Sequence, residues 1–155
     1  MESPQTHQWG PALWMILHSS AERIGQGPTR LLQHEETRLW SGLLSSLRFA
    51  LPCPLCKKHY SDYFQQHPIT QVTLPFIRQW LFQLHQEINH RNQKNSDITI
   101  ENIPEIYSKP FHFSYHADIF QKHMRLALSH RWIGRDDIQR TIRFMEEMRR
   151  LYDFF

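Results

Sequence analysis

The chain has 155 residues, enough for a domain with its own core and no need of a disulfide scaffold. Apolar residues make up 40% and charged residues 21%, which excludes a disordered or fibrous chain. Eighteen Lys and Arg against fifteen Asp and Glu give a net charge of +3, but both signs are interspersed and no basic block occurs, so nucleic acid is not the expected partner.

The first eight residues are polar and include an acid, so they do not read as a secretory signal. No apolar run of about eighteen residues follows, so no membrane span is expected and the expected compartment is the cytoplasm. Five glycines are few for a β protein, which favours helices. The first predicted helix covers Trp9–Ile24, with Trp14, Leu17, Ala21 and Ile24 at helical spacing. Pro11 is expected in its first turn, and Gly25-Gln26-Gly27-Pro28 should stop it. A second helix is predicted over Leu31–Ala50 from the stripe Leu39, Leu43, Leu47 and Ala50, ended by Pro52. A third starts at Pro54 and runs to His67-Pro68. The fourth covers Leu74–Arg91, with Ile77, Leu81, Leu84 and Ile88 apolar. Short connections favour antiparallel neighbours, so residues 1–95 are expected to form an all-α, four-helix bundle.

Residues 95–114 read as a connector. Asp97–Ile100 has the composition of a short strand, but Pro104 and Pro110 argue against one. Two further helices, Tyr115–His130 and Arg135–Tyr152, make residues 96–155 a helical C-terminal extension. Asp136 and Asp137 suit the start of the last helix, and Ile138, Ile142, Met145, Met148 and Leu151 give it an apolar stripe. Packing is the favoured role for this extension, and recruiting a client is the alternative.

The only two cysteines, Cys53 and Cys56, lie in Pro52-Cys53-Pro54-Leu55-Cys56-Lys57-Lys58. Where disulfides are rare, such a pair points to redox chemistry or a metal. At a helix start, the positive end of the helix and the two lysines favour a thiolate, which makes the pair competent for exchange. Zinc would need a second ligand pair at recurrent spacing; the eleven histidines supply none beside the cysteines, and no metal site is expected. A thioredoxin-like site needs a strand before the motif, which the helical surroundings deny. Trp14 and His18 share one face of the first helix, and His85 and Asn89 share one face of the fourth, with Arg91 and Lys94 beyond. Aromatic, imidazole, amide and cationic groups of this kind suit a dinucleotide, without the glycine-rich loop of a Rossmann fold.

In order, W-x3-H, P-C-x2-C and W-x4-H-x3-N followed by two basic residues resemble the FAD-dependent sulfhydryl oxidases of the Erv/ALR family, over about residues 8–94. The resemblance implies a helical bundle that holds FAD and dimerises through its first two helices. It makes Cys53 and Cys56 catalytic, with Cys56 next to the flavin and Cys53 exchanging with incoming thiols. Trp14, His18, Trp80, His85 and Asn89 would contact the cofactor, and Arg91 and Lys94 its phosphates or ribose. His59 and Tyr63 would line the adenine side. The implied reaction passes electrons from a dithiol client, or a thioredoxin-like protein, through the cysteines to FAD and then to oxygen, giving hydrogen peroxide.

Two departures stand out. The family's H-N-x-V-N reads His85-Gln86-Glu87-Ile88-Asn89 here, and Pro11 replaces a position that is often basic. The shuttle cysteine pair of many cellular members is missing, so electrons must reach Cys53 directly from a client. That compact form resembles the branch carried by large cytoplasmic DNA viruses, which implies the host cytoplasm, the virion or virus assembly sites. The competing readings are a non-catalytic helical assembly module and a zinc-stabilised helical protein.

Overall fold

A computed structural model describes residues 2–27 and 30–155. All regular structure among them is helical: α1 (Thr6–Ala21), α2 (Arg30–Ala50), α3 (Pro54–Gln66), α4 (Leu74–Arg91), α5 (Ile103–Tyr107), α6 (Phe113–Ser129) and α7 (Arg135–Leu151). A single 3-10 turn, Ile100–Asn102, leads into α5. None of the described helices is long and apolar enough to cross a membrane.

The first helix begins three residues earlier than its apolar pattern, so Pro11 lies inside α1 rather than in its first turn. Pro11 has no N–H to offer the carbonyl of His7, and that carbonyl lies in the exposed first turn, where water can serve it. The helix ends at Ala21. After it, Gly25 adopts a φ of 79°, and its N–H donates to both carboxylate oxygens of Glu36 on α2 at 3.2 and 3.1 Å. The Pro28 part of the predicted stop lies outside the described residues.

Thr73 caps α4, its hydroxyl accepting from the Phe76 N–H at 3.3 Å, with Pro75 in the first turn. The connector holds no strand. The Thr99 N–H donates to Asn102 Oδ1 at 2.6 Å, and this local bond starts the 3-10 turn.

One core runs through the molecule. Ile16, Leu39, Trp40, Leu43, Leu44, Leu47, Ile77 and Leu81 are fully buried, together with Phe113, Phe120 and Met124 of α6. Helix α4 packs on α1 and α3 on α2, while α6 lies along α1, α7 along α2, and α6 against α7. Trp9 on α1 meets Phe120 on α6, with ring centroids 6.0 Å apart. The indole of Trp40 on α2 donates to Tyr152 Oη at 3.1 Å, and Thr141 on α7 donates to Ser46 on α2 at 2.8 Å. The buried face of α7 is Ile138, Thr141, Met145 and Met148; Ile142 and Leu151 are only half-buried.

Candidate functional site

Cys53 is the N-cap of α3. Pro52 precedes it in the bend after α2, and Pro54 occupies the first helical position, where no N–H is needed. The Cys53 backbone is extended (φ −163°, ψ 122°), which points its sulfur back over the first turn, where Sγ accepts from the Cys56 N–H at 3.3 Å. Both cysteines are half-buried and unpaired. A hydrogen bond from the Cys56 thiol draws the Cys53 pKa down to about 6, against the opposing effect of burial; backbone N–H groups and the Lys57 charge add to the lowering. Cys56 is pushed up for the complementary reason, since its proton is held by Cys53, and burial adds to it. The reduced pair therefore keeps one proton on Cys56 and its negative charge on Cys53. Lys58, expected to help, instead pairs with Asp62 at 3.1 Å.

A minor influence lowering the Cys56 pKa comes from the Thr6 hydroxyl at the start of α1. From Thr6, a row at i+4 spacing leads along α1 through Gly10 and Trp14 to His18. A side chain at Gly10 would meet nothing nearer than the Thr6 methyl at 3.9 Å, so the row is open at that point. Trp14 stands eight residues from Thr6, about 12 Å along the axis.

At the far end, Trp14 stacks on His85 of α4 with centroids 4.0 Å apart and planes 7° off parallel. The His18 Nε2 lies 3.1 Å from the His85 Nδ1. Burial, reinforced by His85, lowers the His18 pKa to about 3; burial and then the Lys94 charge lower that of His85 to about 4. Both rings are neutral at pH 7. The Nδ1 of His18 is buried and has no hydrogen-bond partner among the described residues.

Tyr107, the last residue of α5, covers the other side of His18 at 4.6 Å. Arg23 pins that segment by donating to the carbonyls of Tyr107, Ser108 and Lys109 at 2.8 to 3.3 Å. Gln86 donates to the Ile98 carbonyl at 3.3 Å, so residues 98–107 form a strap across α1 and α4. Beneath it, His85, Asn89 and Tyr107 line a crevice of only about 10 Å³.

The other predicted site residues are placed elsewhere. Tyr63 and Trp80 are buried and interlocked: Tyr63 Oη donates to the Trp80 carbonyl and Trp80 Nε1 to the His67 carbonyl, both at 2.8 Å. Any ligand contact they make is through ring surface. His59 is half-buried on α3, one turn beyond Cys56. Arg91 is exposed and pairs with Glu87 at 3.3 Å, while Lys94 is exposed. Sequence reasoning missed Thr6, Gly10 and Tyr107. The i+4 row was available as a signal for the first two; for Tyr107 there was none. Among the described residues, no three His, Cys, Asp or Glu groups converge as metal ligands.

The described helices thus carry a dithiol at the start of α3 and a stack of neutral imidazoles and indole between α1 and α4. Residues 11–126 match the family model described as Erv1 / Alr, and the chain belongs to that family. An FAD-linked sulfhydryl oxidase of Oryza sativa subsp. japonica is 30% identical over 80 residues, which cover 52% of this chain and 39% of that protein. A probable FAD-linked sulfhydryl oxidase of Acanthamoeba polyphaga mimivirus is 27% identical over 90 residues, 56% of this chain and 60% of that protein. The chain thus matches between two and three fifths of the length of these relatives. No solved structure gives a significant match.

Proposed function

We propose that the chain is an FAD-dependent sulfhydryl oxidase that makes disulfides in client proteins. The observation that supports this most is the Cys53–Cys56 pair, held at one end of an α1 face whose other end is the Trp14–His18–His85 stack. The donor set fits a flavin dinucleotide: an open row at Gly10, an unpartnered buried nitrogen on His18, and uncharged ring faces. Trp14 and His85 already touch, so a flat ring would rest on their outer faces or part them. In this reading Trp14, His18, His85 and Asn89 hold the cofactor, Arg91 and Lys94 attract its phosphates, and Tyr63, Trp80 and His59 supply the wall near α3.

The cysteine chemistry follows from thiol exchange. A client thiolate attacks Sγ of Cys53 in the Cys53–Cys56 disulfide; the S–S bond breaks and Cys56 leaves as a thiolate. The client's second thiolate attacks the mixed disulfide and departs as the oxidised client, leaving Cys53 and Cys56 reduced by two electrons. The Cys53 thiolate is the stabilised one, which makes Cys53 the better leaving group in this second step. Bound FAD would supply the two-electron acceptor that returns the pair to the disulfide and hands the electrons to oxygen.

Two further readings belong to the proposal. One is pairing of two chains, in which the flanks of α1 and α2 left free by α6 and α7 would have to meet. The other is a viral setting in the host cytoplasm.

The test is dithiothreitol-driven bleaching of the flavin spectrum with oxygen uptake and peroxide release. Cys56→Ser should retain FAD and show no bleaching. Cys53→Ser should leave Cys56 beside the ring and give a long-wavelength charge-transfer band. A colourless protein after refolding with FAD would overturn the assignment, and the band appearing in Cys56→Ser would reverse the two roles.

A further inference from the structure

A second cavity, of about 420 Å³, opens between the end of α2, the first turn of α3 and the turn joining α6 to α7. Phe49, Leu128 and Trp132 supply its apolar lining, and Lys57, Arg131 and Asp137 its charges. It lies beside the cysteine pair, because Lys57 directly follows Cys56 and its Nζ donates to the Trp132 carbonyl at 2.5 Å. The α6–α7 turn is thereby tied to the helix that carries the sulfurs.

The surface there is unusual for exposed apolar groups. Phe49 is 46% exposed, and Leu55, between the two cysteines, is 61% exposed. The charges are one-sided. Arg131, in the left-handed region at φ 61°, is exposed and makes no ion pair among the described residues. The guanidinium of Arg48 sits 5.0 Å above the Phe49 ring. Asp137, the one acid of the lining, is paired with Arg140 at 3.5 Å. An apolar floor under unpaired positive charge selects an occupant that is apolar and acidic.

We propose that this groove docks the client: an extended peptide segment next to its cysteine pair, with one apolar side chain on Phe49 and Trp132 and a carboxylate facing Arg131. The proposal rests on the oxidase reading above, which requires a client thiol to arrive at Cys53. Four residues of helix separate Cys53 from Lys57, about 6 Å of rise. An extended strand covers that in two or three residues, at about 3.3 Å each. The Lys57 edge of the groove therefore lies two or three client positions from the cysteine that attacks.

Two ten-residue peptides test this, each with its cysteine positions changed to serine and a leucine three positions along. One carries two flanking glutamates and the other two lysines. By titration calorimetry the glutamate peptide should bind at least tenfold tighter. Arg131→Glu should remove or invert that preference, and Phe49→Ser should weaken both peptides, with melting curves showing that each variant is folded. Equal affinity for the two peptides, or a preference that survives Arg131→Glu, would overturn the groove. Dithiothreitol oxidation, measured in parallel, separates the two ideas. Oxidation without peptide discrimination overturns the groove alone; discrimination without oxidation overturns the oxidase reading, and the client with it.

Discussion

His18 on α1 and His85 on α4 share a single proton across the 3.1 Å between Nε2 and Nδ1. In a neutral pair one nitrogen donates and the other accepts. A second proton on that line would set two N–H groups against each other, inside a stack roofed by Tyr107 and walled by Trp14.

That arrangement makes stability depend on acidity. Both folded-state values, about 3 and about 4, lie below the ordinary 6.5, so the unfolded chain takes up these protons first. The contribution is complete above pH 6.5 and is lost as pH falls toward 4, at about 1.4 kcal/mol per pH unit for each ring. Urea midpoints at pH 7.5 and 5.5 should differ more in the native protein than in His85→Gln. An equal difference in both would show that the pair does not govern the effect.

Acidity also bears on the cysteines, in opposite directions for the two sulfurs. Because the Cys56 thiol donates to Cys53, iodoacetamide should modify Cys53 first in the reduced protein, with a midpoint near pH 6. Cys56→Ala removes that donor and should move the midpoint upward. A midpoint unchanged by the substitution would place the cause in the helix terminus instead.

Glu22, at the end of α1, is buried, with its side chain 2% exposed, and it receives Nε and Nη2 of Arg78 from α4 at 2.9 and 2.7 Å. Arg78→Met strands that carboxylate and should cost about 3–5 kcal/mol in denaturant unfolding. Adding Glu22→Gln should recover part of the loss; no recovery would mean that the arginine acts through packing alone.

Gly42, midway along α2, lies directly beneath the ring of Phe144 on α7, and a Cβ there would collide with it. Glycine to alanine in a helix ordinarily gains about 1 kcal/mol. Gly42→Ala should instead lower the melting temperature, and in a Phe144→Ala background the sign should reverse. A gain in the native background would show that α7 yields easily.

What could be read from the sequence follows the range of the interactions involved. The bounds of α4 and the end of α2 are local, set by Thr73, Pro75 and Pro52, and the pattern located them. The start of α1 was missed because Thr6, His7 and Gln8 are exposed and leave no apolar signature. The Asn102 bond that turns residues 99–102 was passed over in favour of the nearby prolines. Trp14, His18 and His85 were legible as faces of two helices, and the structure brings them together. Tyr107 was not, because it reaches His18 from 89 positions away, and its placement depends on Arg23 holding three carbonyls. Likewise, nothing local tells Lys57 that its acceptor is Trp132.

The seam between the first two helices and the last two bears on any attempt to graft this chemistry. A fragment ending near residue 95 would strip Phe120 from Trp9, Tyr152 from Trp40 and Thr141 from Ser46, wetting a broad greasy flank. Transplanting the cysteine motif into another protein therefore means carrying the tail along, or repainting that flank with polar residues first.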